Sequence, residues 1–178
     1  MGYELIEKQV IFEGRKARLE VHHLRDEQSG RKLHREIVVH TGAVCVLPFV
    51  DENTVMLIRQ KRYAIGQIIV EIPAGTLEKN EPPMNCAGRE LLEETGYLAG
   101  KIQPIGTFYT SPGILTEKMY AFSAHNLEQQ KQALEEGEEI ELMKVSYDEA
   151  IEMCRNGDIA DGKTIATILL YDRFARRK

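Results

Sequence analysis

Short runs of alternating apolar and polar residues fill the first forty positions. Leu5, Val10 and Phe12, then Ala17, Leu19 and Val21, then Ile37 and Val39 follow the two-residue period of half-buried strands. A polar turn over residues 26–32, with Ser29-Gly30 inside it, separates the last two. These positions predict a small antiparallel N-terminal sheet over residues 1–40. From Gly42 the pattern changes. Residues 43–49 are continuously apolar, 51–53 are turn-forming and 54–58 are apolar again, which predicts a buried hairpin. Residues 68–72 predict a strand broken by Pro73-Ala74-Gly75, and Pro82-Pro83 opens a helix that Gly96 closes. Residues 106–109 and 118–123 predict strands around Ser111-Pro112-Gly113. Ser146 caps a helix over 147–155, with Glu149 in the capping-box place and Gly157 as its stop. An amphipathic last helix covers 163–176. A β segment followed by mixed strands and a few helices predicts an α+β fold with α/β/α layering. The division expected is an N-terminal segment, 1–40, and a main domain, 41–178.

Composition narrows the functional classes. A chain of 178 residues, 43% hydrophobic and 29% charged, is too apolar for disorder and long enough to fold without disulfides or a structural metal. The formal charge of −5 argues against nucleic-acid or anionic-membrane binding by bulk attraction. No run reaches the roughly 18 apolar residues of a membrane span, and the opening MGYELIEKQV lacks a signal-peptide core. Cys45, Cys86 and Cys154 show no paired spacing and read as small buried apolar residues in a reducing cytoplasm. The five histidines, His22, His23, His34, His40 and His125, show no ligand spacing. Arg173, Arg176, Arg177 and Lys178 read as compensation of a helix dipole.

The chemistry concentrates between Gly75 and Tyr97, GTLEKNEPPMNCAGRELLEETGY. On a helix of 100° per residue, Glu90 and Glu94 stand one turn apart with Glu93 beside them. Met84, Ala87 and Leu91 form the adjoining apolar stripe, so the acidic row borders the buried face. Within i±3 and i±4, Glu90 and Glu94 have no cation; only Glu93 does, from Arg89. Two readings stand: a solvated acidic face, or a row that takes its positive charge from a hard divalent cation such as Mg²⁺.

The spacing Gly75, five residues, Glu81, seven residues, Arg89-Glu90-Leu91, one residue, Glu93-Glu94, one residue, Gly96 and then an apolar residue resembles the signature box of the Nudix hydrolases. Tyr97 is a slightly unusual final apolar residue. Gly42-Ala43-Val44, Glu71-Ile72-Pro73-Ala74-Gly75 and Ser111-Pro112-Gly113 extend the resemblance over roughly residues 35–178. Pro112, 16 residues after Gly96, resembles the mark of the ADP-ribose pyrophosphatase branch.

The resemblance implies a Nudix-type α/β/α sandwich with a mixed sheet, preceded by the N-terminal β segment. It implies hydrolysis of a nucleoside diphosphate derivative at the pyrophosphate, ADP-ribose giving AMP and ribose 5-phosphate. Two to three Mg²⁺ ions per site are implied, with Mn²⁺ as a substitute. Glu90, Glu94 and the Ala74 carbonyl are the implied core metal ligands, with Glu93 ligating or close by. Gly75, Glu81, Arg89 and Gly96 are implied to hold the loop and helix together. In that branch an acidic loop completes the site; the segment matching it here is 135–140, where Glu138 reaches a metal and Glu136 activates water, with Glu139 the neighbouring alternative in register. A solvated charge run is the bland reading of the same segment.

Arg62 matches an arginine that meets phosphate, with Arg59 and Lys61 alternating beside it; cations guarding a strand edge are the plain alternative. Arg35 resembles a second substrate-facing arginine that in this branch comes from the other subunit of a homodimer built through the N-terminal segment. Tyr109, Thr110 and Pro112 are placed beside the terminal ribose. Tyr3 or Phe12 could stack on a base or simply pack. The alternatives carried are a GDP-mannose or other nucleoside diphosphate sugar pyrophosphatase and a non-catalytic ligand sensor. The intact box and acidic chain argue against the sensor, and Pro112 argues against cleansing of oxidised triphosphates.

Overall fold

The computed structural model describes residues 2–14, 17–134 and 137–176. The chain forms two compact units, 1–42 with 109–118, and 43–108 with 119–178. In the first, β1 (Tyr3–Glu13), β2 (Arg18–Asp26) and β3 (Lys32–Val39) make an antiparallel sheet in that order. Its β2–β3 turn is built locally: Asp26 Oδ1 accepts the Gln28 and Ser29 N–H groups, and Gly30 takes a left-handed φ of 70°. Val38 bridges Leu115, tying residues 109–118 to this unit. All eleven residues of β1 are exposed, including Leu5, Ile6, Val10, Ile11 and Phe12.

The second unit contains two sheets. One has the order β7 (Ala74–Thr76), β4 (Ala43–Pro48), β9 (Lys118–Gln129), β8 (Tyr97–Tyr109); β4 runs parallel to β9 and antiparallel to β7. The other has the order β10 (Ile140–Ser146), β5 (Thr54–Arg62), β6 (Gln67–Glu71). Helix α1 (Pro83–Thr95) packs Cys86, Ala87 and Leu91 against Val44, Val46, Phe122 and Ala124. The opposite face of β4, Cys45 and Leu47, joins Val55, Leu57, Ile72, Ala150 and Ile168 in the larger core. Those residues bring in β5, α2 (Tyr147–Asn156) and α3 (Gly162–Leu170). Strand β4 is therefore buried on both faces, which is why its sequence is continuously apolar.

Several expectations change. Residues 43–49 and 54–58 do not continue as a paired hairpin: they enter different sheets, and their backbone pairing stops at the turn, with a Phe49–Val55 bridge and the Val50 N–H on the Thr54 carbonyl. The turn signal was real, but partner choice is set by the core on each side. Gly75 does not end the β structure, because Ala74–Thr76 pairs with β4. Met84 is exposed and Cys86 takes its place in the core. Cys154 is only half-buried. The last helix changes to a π-helical turn at Tyr171–Ala175. The local stops hold: Glu149 N–H donates to Ser146 Oγ at 3.1 Å, and Gly157 is left-handed with φ 85°.

Gly96 ends α1 with φ 71°, and a Cβ there would lie 2.9 Å from the Gln132 backbone nitrogen and 3.1 Å from the Gln130 carbonyl oxygen. Gly96→Ala should therefore lower unfolding free energy by about 1–3 kcal/mol. Urea unfolding measures it, and an unchanged midpoint refutes the assigned strain.

Candidate active site

The loop from β7 into α1 and the helix itself place three carboxylates, Glu81, Glu90 and Glu93, around one guanidinium, with Glu94 one turn beyond Glu90. Pro82 and Pro83 start the helix with extended-to-helical geometry and no side-chain cap. One helical turn from Glu90 comes Glu94, and the register that buries Leu91 turns Glu94 inward.

Arg89 is the internal counter-charge. Its Nε and Nη2 donate to the two Glu81 oxygens, each at 3.0 Å; its Nη1 donates to Glu90 Oε1 at 2.7 Å and Glu93 Oε2 at 3.0 Å. Nη2 also reaches the Thr76 carbonyl and Cys86 Sγ. The expectation that only Glu93 has a cation is thus corrected. Spacing along the helix excluded a contact between adjacent residues, but the long guanidinium side chain curls far enough to reach Glu90. The bidentate bond to Arg89 holds the Glu81 carboxyl down at about 2, and burial with hydrogen bonding to Glu81 pushes the Cys86 thiol up to about 12.

Glu94 differs from the other three. The residue is only 3% exposed, its Oε2 accepts the Ala74 N–H at 3.0 Å, and no cation pairs with it directly among the described residues. Burial raises its pKa to about 8; the Ala74 N–H opposes the rise, and the charges of Glu90 and Glu138 add to it. Glu90 is also shifted upward, by burial first and then, against the pull of Arg89, by Glu93 and Glu138. The structure therefore brings Glu138 into electrostatic reach of both helix carboxylates. Gly137 before it has φ 87°. Glu136 lies outside the described residues.

Gly75 makes the cluster possible, since a Cβ at that position would overlap the Glu90 carboxylate. Among the described residues no three His, Cys, Asp or Glu side chains form a ready-made ligand cluster. The donor set is hard oxygen: the buried Glu94 and the half-buried Glu90, mutually repelling carboxylates, with a loop backbone pressed against Glu90. That fits a divalent cation completing its shell with water and phosphate oxygens.

The remaining positions fall elsewhere. Arg62 is 38% exposed in its side chain and gives Nε and Nη2 to the two Glu71 oxygens, both at 2.7 Å. Arg59 is exposed, 3.7 Å from Glu141, and Lys61 lies over the Tyr63 ring. Arg35 stands on β3 with Nη1 on the His34 carbonyl. Tyr109 is exposed, Thr110 Oγ1 donates to Glu117, and Pro112 sits in the following turn; Arg35, Tyr109 and Pro112 all belong to the first compact unit. Sequence reading missed Glu71, Asp161 and Lys163 as a charged group. The available signal was a glutamate inside an otherwise apolar strand run.

Residues 39–168 match the NUDIX domain, and the chain belongs to that family. It is 41% identical over 165 residues to an ADP-ribose pyrophosphatase of Bacillus subtilis and 38% identical over 165 residues to a methanol dehydrogenase activator of Bacillus methanolicus; each match covers 92% of this chain and 89% of the relative. It is 36% identical over 133 residues to a GDP-mannose pyrophosphatase of Salmonella paratyphi B, covering 70% and 69%. A crystal structure of an ADP compounds hydrolase shares the fold with a TM-score of 0.87 at 18% identity, covering 99% of this chain and 96% of that one. Members of the family typically use a divalent metal.

In metal-free protein the raised Glu94 pKa makes stability pH-dependent. The folded state keeps a proton that the unfolded state releases, so Glu94's contribution is complete below about 4.5 and is lost as pH rises through about 8. Chelator-treated protein should show urea midpoints falling across that window, with a flatter profile for Glu94→Gln. Identical profiles refute the burial of an ionisable Glu94.

Proposed function

We propose that the chain hydrolyses the pyrophosphate bond of ADP-ribose, giving AMP and ribose 5-phosphate, or of a related nucleoside diphosphate sugar. The observation that carries this reading is Glu94: a buried carboxylate, held by one amide and lacking a direct cation among the described residues, one helical turn from the half-buried Glu90. Family membership and the ADP-ribose pyrophosphatase relative support the chemistry. The GDP-mannose pyrophosphatase relatives favour a second sugar nucleotide as the alternative.

Glu90, Glu94 and the Ala74 carbonyl hold the cation, with Glu138 as a further ligand. A divalent metal there supplies neutralisation of the diphosphate and a lower pKa for the attacking water. Arg62 meets a phosphate oxygen, and Glu136 takes the water proton as its oxygen bonds to phosphorus. The bridging P–O bond breaks, and its electron pair leaves on the departing phosphate. Glu93 supports Glu90 through their shared Arg89. Arg35, Tyr109 and Pro112 complete the substrate contacts, with Arg35 arriving across a homodimer. Two to three Mg²⁺ ions serve each site, Mn²⁺ substitutes for them, and the enzyme works in the cytoplasm. Among the described residues no helix is long and apolar enough to cross a membrane.

A panel of nucleoside diphosphate sugars, dinucleotides and triphosphates should show Mg²⁺-dependent release of monophosphate, greatest with ADP-ribose or another nucleoside diphosphate sugar. Glu94→Gln should lower turnover at least about 100-fold with the fold intact. Unimpaired hydrolysis by that variant sinks the ligand assignment. In the same assay Glu136→Gln should stay slow at saturating Mg²⁺, whereas extra Mg²⁺ should rescue Glu138→Gln; the reverse pattern exchanges their roles.

The dimer reading rests on β1, a sheet edge whose large apolar residues are 44–63% exposed. Such an edge invites pairing. Light scattering should give twice the chain mass for the wild type and a smaller mass for Val10→Glu/Phe12→Glu; a monomeric wild type contradicts the dimer.

A further inference from the structure

Glu71 is 0% exposed and carries two cations: Arg62 through both oxygens, and Lys163 Nζ on Oε2. Lys163 is itself only 14% exposed and also lies 2.9 Å from Asp161 Oδ1. Asp161 caps α3, its Oδ2 accepting the Thr164 N–H at 2.9 Å and the Thr164 hydroxyl at 2.6 Å. Thr164 Oγ1 in turn accepts the Ile72 N–H at 3.0 Å. The first turn of α3 therefore grips two consecutive residues, the Glu71 carboxylate and the Ile72 amide. Two positions further on, past Pro73, whose carbonyl accepts the Val46 N–H, comes Ala74, the residue that holds Glu94. The segment 71–74 thus has Arg62 anchored at one end and Glu94 at the other. The fields of Arg62 and Glu94 act on each other.

A buried carboxylate needs full compensation, and a single partner is drawn tightly onto it. Here Lys163 supplies the second charge from the core side. Arg62 then needs to spend only Nε and Nη2 on Glu71, and its Nη1 makes no hydrogen bond among the described residues. Without Lys163, the Glu71 charge would fall on Arg62 alone, and its guanidinium would close further onto that carboxylate.

We propose that Lys163, at the start of α3, is a positioning residue for the diphosphate: acting through Glu71, it holds Arg62 with the Nη1 edge of its guanidinium turned to a substrate phosphate. This rests on the proposed phosphate contact of Arg62. Asp161 and Thr164 fix the lysine and the strand end in one register, so the device spans residues 92 positions apart in the chain.

The test is a kinetic double-mutant cycle with the Mg²⁺-loaded enzyme and its best nucleoside diphosphate sugar. Lys163→Met should raise KM about ten-fold with kcat within about two-fold, and Lys163→Arg should restore KM. Arg62→Ala should raise KM by at least as much. The double variant Arg62→Ala/Lys163→Met should be no worse than Arg62→Ala alone, because a residue acting through Arg62 has nothing left to position. If Lys163→Met does not fold, Lys163→Gln, which keeps a donor to Glu71 without the charge, replaces it in the cycle. Additive effects, or a Lys163 variant with wild-type KM beside an impaired Arg62→Ala, overturn the positioning role while leaving the proposed function intact. An Arg62→Ala enzyme with wild-type KM overturns the phosphate contact itself, and the proposal falls with it.

Discussion

The site depends on keeping a carboxylate where a carboxylate is unfavourable. Glu94 lies almost wholly inside the protein, with one backbone N–H as its direct support and two further anions within reach of its field. Burial of this kind costs stability unless charge of the opposite sign arrives or a proton is taken up. The helix cannot turn Glu94 outward without withdrawing Leu91 from the core, so packing fixes the position and the electrostatic tension remains. Under the proposed function a divalent cation would relieve that tension, with diphosphate oxygens completing its shell.

The surrounding residues divide the charge rather than cancel it. Arg89 serves Glu81, Glu90 and Glu93 together, stiffening loop and helix while leaving three negative charges against one positive. Gly75 lets the loop backbone lie against Glu90. The buried Glu71 takes both Arg62 and Lys163 as partners. None of these cations pairs directly with Glu94 among the described residues.

Local features were readable from the chain because their causes are local. The proline start and glycine stop of α1, the Ser146 cap and the 40° offset of Glu90 from Glu94 all follow from residues within one helical turn. Pairings that depend on distant partners were not readable. Nothing near residues 43–58 tells β4 to join β9 and β5 to join β10, since those choices are made by cores built from residues a hundred positions later. Arg89's reach to Glu90 depends on a side-chain path rather than on spacing, and Lys163 meets Glu71 across 92 residues. Glu136 was nominated from the resemblance alone and lies outside the described residues.

The most direct measurement is a crystal structure grown with Mn²⁺ and a non-hydrolysable nucleoside diphosphate sugar, read by anomalous scattering. Mn²⁺ is expected bound by Glu90, Glu94 and the Ala74 carbonyl, with diphosphate oxygens completing its coordination. Mn²⁺ located elsewhere, with Glu94 still bound only to the Ala74 amide, would contradict this assignment.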